Sequence, residues 1–182
     1  MSFLGNVPLQ EAIEAVLAIY EALEVQIRPL ENRLTAIAKR DEDTKLLMTI
    51  SGVGVITALN FKVTIGDPKR FEASRKVGAY VGMTPKQYSS GERERQGGIS
   101  KCGCKQTRSL LVEAAVVLLT RTKKWSKLKA WGFKIFRKHG IKKAAVAVGR
   151  KLAVIMHRML ITREIFRITE ETTEAKKEQK AA

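Results

Sequence analysis

Cysteine and histidine are nearly absent from this chain: Cys102 and Cys104, spaced C-x-C, are its only cysteines, and His139 and His157 its only histidines. A zinc site draws on four ligands at recognisable spacing, and neither histidine is near the thiols in sequence, so no metal site is expected and the thiols read as ordinary reduced cysteines. Also missing is any apolar run as long as the ~18 residues a membrane span requires. The opening MSFLGNVPLQ has neither the cationic start nor the apolar core of a signal peptide. A soluble, cytoplasmic protein with no membrane association is the expectation. Scarcest of all are acids in the second half. Residues 86–167 hold 21 Lys and Arg against Glu92, Glu94, Glu113 and Glu164, a surplus of +17, while the whole chain carries +16. The remainder is therefore close to neutral, and the basic half presents a surface suited to a polyanion. At 182 residues the chain has room for one core and one appendage.

The appendage is legible at the front. Leu9, Ile13, Val16, Tyr20, Leu23, Ile27, Leu30, Leu34 and Ile37 alternate steps of four and three, the a/d seam of a coiled coil. The spacing predicts one long helix over 8–40, with a kink near Ile27 because Pro29 removes a hydrogen bond and crowds the preceding turn. So narrow a stripe favours pairing with another chain or a second domain over lying on the helix's own domain. Asp41-Glu42-Asp43 ends the helix, and these acids, like those along it, read as a solvated face.

A second unit opens with DTKLLMTISGVGVITALNFKVTIG. An apolar helix (Lys45 to Ile50) meets Ser51-Gly52-Val53-Gly54, and a further helix starts near Val55, the pattern of a helix-hairpin-helix. Glycines allow a tight turn and close approach, and the free N–H groups at the next helix's start can cradle a phosphate. The plainer alternative is a turn between two core helices. Gly66-Asp67-Pro68 turns the chain into a short helix with Phe71, Val77, Tyr80 and Val81 facing the core.

The stretch KQYSSGERERQGGISKCG then sets three serines among glycines and cations, opposed only by Glu92 and Glu94. Its glycines predict a small β-hairpin with arms Lys86–Ser89 and about Gln96–Ser100 around a charged, mobile tip. From Thr107 a helix apolar on nearly every side reads as buried and central. Basic helices follow, with Trp125, Leu128, Phe133 and Phe136 among the cations. Trp125 and Trp131 have the chemistry to stack on bases, but aromatics at helical spacing fit a core better. Ala144, Ala145, Val148, Leu152, Ile155, Met156 and Met159 share one face of the last core helix, with His157 beside it as a structural residue. The charged tail from Thr169 has too few apolar residues to pack and is expected to be disordered.

The ordered run ISGVG, IGDPKRF, GAYVGMTP, YSSGERERQGGISKCG, TRSLLVEAA and HGIKKAAVAVGRKLAVIMHRML resembles the C-terminal domain of the bridge-RNA-guided, Piv-type insertion-sequence transposases over about residues 44–165. Each element is weak alone; their order is specific. The resemblance implies that the serine of the Ser-Gly element is the nucleophile that attacks a DNA phosphodiester. Ser90 of Ser90-Gly91 holds the matching position, with Ser89 and Ser100 as alternatives. A hydroxyl is a poor nucleophile near neutral pH and needs a base, a metal or stabilised charge. Arg93, Arg95 and Lys101 are candidates to hold the phosphate, and Gly52, Gly54, Lys86, Gly91, Lys105 and Arg108 complete the expected nucleic-acid contacts. The alternative is that the three serines cap turns or touch phosphate. Cys104 departs from the family, which has Asn after the glycine.

Full-length relatives carry an N-terminal RuvC-like domain whose acids bind magnesium, and no such domain is legible here. The chain is thus expected to be mainly α: a coiled-coil helix (1–43), a compact transposase domain (44–167) with a helix-hairpin-helix and a β-hairpin, and a charged tail (168–182). Two functions follow. One is the DNA-binding, serine-bearing half of a transposase, working with guide RNA and joined through the 8–40 helix to a second copy or a RuvC-like partner, with magnesium only on that partner. The other is a non-catalytic nucleic-acid-binding module.

Overall fold

The computed structural model describes residues 7–90 and 93–166, the backbone alone for 87–90 and 93–96, and resolves into two units, Met1–Arg40 and Asp41–Ala182. The first unit is one helix, α1 (Val7–Arg40), continuous through Pro29. The seam residues Ile13, Val16, Tyr20, Leu23, Ile27 and Leu30 are all exposed. Along the helix, Tyr20 donates to Glu24 Oε1 at 2.8 Å and Gln10 Nε2 donates to Glu14 Oε1 at 3.2 Å, both one turn apart.

The second unit begins where Asp41 caps α2 (Glu42–Met48), accepting the Thr44 N–H at 3.0 Å. A turn leads to α3 (Val55–Ile65); Asp67 caps a 3₁₀ turn at Pro68–Arg70; α4 is Lys76–Tyr80. Strands β1 (Pro85–Ser90) and β2 (Arg93–Ile99) form the only sheet among the described residues, followed by α5 (Lys105–Thr120) and α6 (Lys127–Thr162). The unit is thus helical around one small hairpin, as its pattern predicts.

Helix α5 organises the core. Leu111, Ala114, Ala115, Leu118 and Leu119 recur at steps of three and four and are all buried against α6 and α3. It is not apolar all round: Lys105, Ser109, Glu113 and Thr120 form an exposed strip. Each large side chain buried here is worth about 1.5–3 kcal/mol, and Leu118→Ala would cost roughly 2–5 kcal/mol through the cavity it leaves. Polar links add register: the Thr107 hydroxyl donates to Asn60 Oδ1 at 2.7 Å, tying α5 to α3.

Helix α6 folds back on itself at Gly140 (φ 79°, ψ 170°), where the chain takes a conformation other residues resist. A Cβ on Gly132 would lie 2.7 Å from Val148 Cγ2, although 16 residues of straight helix would separate the two by about 24 Å. The second arm carries the core face, with Ala144, Ala145, Val148, Leu152 and Met156 all buried.

His157 on the same arm is a structural residue, as read. It is 1% exposed, and Nε2 donates to the Pro68 carbonyl at 2.9 Å while Ser74 Oγ lies 2.9 Å from Nδ1. It therefore pins the Gly-Asp-Pro turn to α6.

Three expectations change. Asp41 and Asp43 are not a solvated face, because both pair with Lys62 (3.1 Å to Asp43) and Asp43 also with Arg163. The hairpin arms run longer than their glycines suggested, so Arg93 to Gln96 belong to β2 and only residues 91 and 92 separate the strands. Trp125 and Phe136 are exposed at 58% and 40%, while Leu128 alone of that set is in the core. The tail from Thr169 and the expected charged tip at residues 91 and 92, Gly91 included, lie outside the described residues.

Candidate nucleic-acid interface

The glycine-rich turn between α2 and α3 divides its two glycines between different tasks. A Cβ at Gly52 would sit 2.7 Å from the Ala114 carbonyl oxygen, so this glycine exists to let the turn press against α5. Gly54 caps α3 with no side-chain hydrogen bond, and nothing lies within 4 Å of where its Cβ would be. The first turn of α3 is consequently approachable at Gly54. Lys62 on α3 is engaged by Asp41 and Asp43.

The hairpin stands on a rigid base. Ser100 N–H donates to the Thr84 carbonyl at 2.8 Å and Lys101 N–H to the Gly82 carbonyl at 3.0 Å. Arg108, read as a phosphate ligand, donates Nη1 to the carbonyls of Val81 (3.1 Å) and Cys102 (3.2 Å), and so clamps the segment Lys101–Cys102 onto the end of α4. Lys86, Lys101 and Lys105 are exposed around this base. Cys102 and Cys104 are both exposed, free thiols.

Above the base the antiparallel register pairs Ser90 with Arg93, Ser89 with Glu94 and Tyr88 with Arg95. Directly opposed positions share a face of a β-ribbon. Positions 88, 90, 93 and 95 thus fall on one face, and 89 and 94 on the other. The side chains of Ser89, Ser90, Arg93 and Arg95 lie outside the described residues. Ser100 is at the base, about 20 Å along the ribbon from position 90. The register therefore separates the three candidate serines: position 90 shares a face with two arginines, position 89 with a glutamate, and Ser100 with neither.

Sequence reading missed what the hairpin stands beside. A groove of about 480 Å³ runs between Pro85, Gly97 and Gly98 and the α6 residues Lys142, Lys143 and Arg150. A neighbouring groove of about 670 Å³ continues past Arg150 to Lys127, Trp131 and Lys151. The two share Ala147 and Arg150. Lys151 Nζ lies 4.1 Å from the centre of the Trp131 ring, a cation held on an aromatic face. Part of the signal was available: Lys143 and Arg150 are seven residues apart, which returns to one face of a helix, away from the core stripe. Among the described residues no group of three or more His, Cys, Asp or Glu could hold a metal ion. No helix among them is long and apolar enough to cross a membrane.

The α2 turn, the hairpin and its base fall within a segment shared by known proteins, whereas the groove cations Lys142, Lys143, Arg150 and Lys151 of α6 lie beyond it. Residues 44–130 match the IS116/IS110/IS902 transposase family. Beyond that segment, the chain is 38% identical over 138 residues to the transposase for insertion sequence element IS1111A of Coxiella burnetii, a match covering 75% of this chain and 38% of that protein. It is likewise 38% identical over 137 residues to the transposase for insertion sequence element IS1328 of Yersinia enterocolitica, covering 75% of this chain and 41% of the relative. A pilin gene-inverting protein of Moraxella lacunata is 35% identical over 74 residues, 40% of this chain and 23% of that protein. The chain spans about two fifths of the length of the first two relatives.

Proposed function

We propose that this chain carries the DNA-binding, serine-bearing half of an insertion-sequence transposase and acts in DNA transposition and recombination, with Ser90 as its nucleophile. The observation that carries the reading is the hairpin register, which opposes position 90 to Arg93 on a ribbon whose base borders a groove lined by Lys142, Lys143 and Arg150. In the proposed step the Ser90 Oγ–phosphorus bond forms as the bond from phosphorus to the leaving deoxyribose oxygen breaks. The hydroxyl proton passes to a base and the leaving oxygen takes up a proton. Arg93 and Arg95 stabilise charge on the non-bridging oxygens, and the groove cations hold the flanking phosphates. Gly54 at the head of α3 offers a further backbone contact of the helix-hairpin-helix kind.

Magnesium enters this reading only through an acidic RuvC-like domain. The described residues do not fit such a site, since Asp41 and Asp43 are already paired with Lys62 and Arg163. No step is therefore derived through the metal. Guide RNA would direct the target, and α1 would join a second copy or the RuvC-like partner through its exposed seam.

The test supplies the chain with a RuvC-like domain, magnesium, guide RNA and donor DNA and looks for a covalent protein–DNA adduct on a denaturing gel. Ser90→Ala should erase the adduct and leave DNA binding unchanged. Arg93→Ala should lower its yield by degrees. An adduct lost in Ser100→Ala but kept in Ser90→Ala would move the nucleophile, and no adduct in the complete reaction would leave a nucleic-acid-binding module.

A further inference from the structure

Between Glu113 and Glu164 the chain has no acidic residue, and within that stretch it exposes aromatic rings that could have been buried. Trp125 sits in the connection between α5 and α6 with 58% of its surface open, and Phe136 on α6 is 40% exposed. The rings form a chain of contacts: Trp125 to Phe133 at 5.4 Å between centroids, tilted by 31°, and Phe133 to Phe136 at 5.9 Å, edge to face. Beneath them lies Lys129, only 6% exposed, its Nζ 5.5 Å from the Trp125 centroid and 5.8 Å from that of Phe133. That ammonium is anchored in turn on the carbonyl of Thr122. Trp125 is thereby fixed from below while its outer surface meets water.

We propose that Trp125, supported by Phe133 and Lys129, is a stacking platform for an unpaired nucleotide of single-stranded DNA. The choice of occupant rests on charge and shape together. Lys123, Lys124, Lys127 and Arg137 lie within two residues of Trp125 or Phe136 in sequence and are all exposed, so an arriving chain must bring negative charge. It must also bring a flat apolar face to cover an indole, and a nucleotide has both in one unit. Duplex bases are already stacked and offer only their edges, which selects an unpaired strand. DNA is assigned over guide RNA because the bond-breaking step proposed above acts on DNA strands, and this assignment rests on that reading. The site uses none of the residues assigned above to the hairpin or its groove apart from Lys127 at their border.

The experiment measures binding of the full chain to a short oligodeoxythymidine, to a strand of the same length made of abasic deoxyribose phosphate, and to a duplex. Oligodeoxythymidine should bind about ten-fold tighter than the abasic strand, because only the strand with bases can stack on the indole. Trp125→Ala should erase most of that margin and leave duplex affinity unchanged, while Trp125→Phe keeps much of it. Trp125 is exposed, so loss of fold is not expected, and a circular dichroism spectrum checks it. Equal binding of the thymidine and abasic strands, or a margin that survives Trp125→Ala, would overturn the platform. Tighter binding of the matching oligoribonucleotide would overturn the assignment to DNA. A chain that binds the duplex but does not distinguish the two single strands loses this inference and keeps the interface proposed above; one that prefers thymidine but ignores the duplex does the reverse.

Discussion

Replacing Gly82 by alanine tests whether the hairpin's base is as tightly constrained as its contacts indicate. Gly82 has φ 70°, and a Cβ there would lie 2.0 Å from the Cys102 carbonyl oxygen and 2.6 Å from the Cys102 nitrogen. The left-handed conformation alone costs a residue with a Cβ about 1–2 kcal/mol. The overlap is with backbone, so the Lys101–Cys102 segment must also move away. That movement breaks the 3.0 Å bond from Lys101 N–H to the Gly82 carbonyl and strains the Arg108 clamp, whose two acceptors are Val81 and Cys102. Each such bond contributes about 1 kcal/mol. The total is roughly 3–5 kcal/mol, which in a chain of this size lowers the melting temperature by roughly 6–20 °C. Gly98→Ala is the control, since nothing lies within 4 Å of its Cβ position. Thermal melts of both variants followed by circular dichroism decide the matter. Should Gly82→Ala melt within a degree or two of Gly98→Ala, the proposed packing of the hairpin base is wrong.

Asp41 gives a pH-dependent expectation. Burial raises its pKa, but the Lys62 ammonium and the Thr44 hydroxyl and N–H outweigh burial and hold it below the ordinary carboxylate value. A folded pKa below the unfolded one means a stability contribution that is complete above about pH 4 and lost as pH falls through the folded value; in urea melts Asp41→Asn should flatten that acid-side decline. Cys102 and Cys104 are both exposed, so a thiol reagent should titrate both in the native protein without denaturant; only one fast thiol would contradict the loop. Placing Asp at both Leu23 and Ile27 should abolish self-association or partner binding by α1, as sedimentation would report, and an unmodified chain that stays monomeric with every candidate partner would count against the seam. Duplex binding should weaken by ~10³ or more between 50 and 200 mM salt if about six phosphates are neutralised, and a flat response would remove the polyanion reading.

How much of this was legible in sequence depended on whether the signal was local. The steps of three and four along α1, and the glycines that start and stop α3, are local rules, and they placed those helices to within a few residues. The fate of individual cations was not local. Arg108 looks in sequence like any arginine at the head of a basic helix, yet two carbonyls brought in by the chain's return claim its guanidinium. Lys62 is likewise claimed by acids some twenty residues earlier in the chain. The exposure of Trp125 was equally invisible, because it lies in the connection before α6 and residue spacing cannot report which side of a ring faces solvent.

The same division explains why a surplus of +17 overstates the charge free to meet a polyanion. Arg108 and Lys129 are held by carbonyls, and Arg163 by Asp43. Their positive charge is spent on holding the ends of α5 and α6 in place, and a phosphate reaching them would first have to displace those partners. Lys142, Lys143, Arg150 and Lys151 are different: they are exposed, they repeat at helical spacing, and they border the grooves beside the hairpin. Counterion release follows the phosphates neutralised and takes no account of formal charge buried in the fold. Removing an exposed groove cation should therefore reduce the salt dependence of binding, whereas removing Arg108 should reduce stability first. Substitutions of the two kinds separate the part of the basic half that builds the fold from the part that meets nucleic acid.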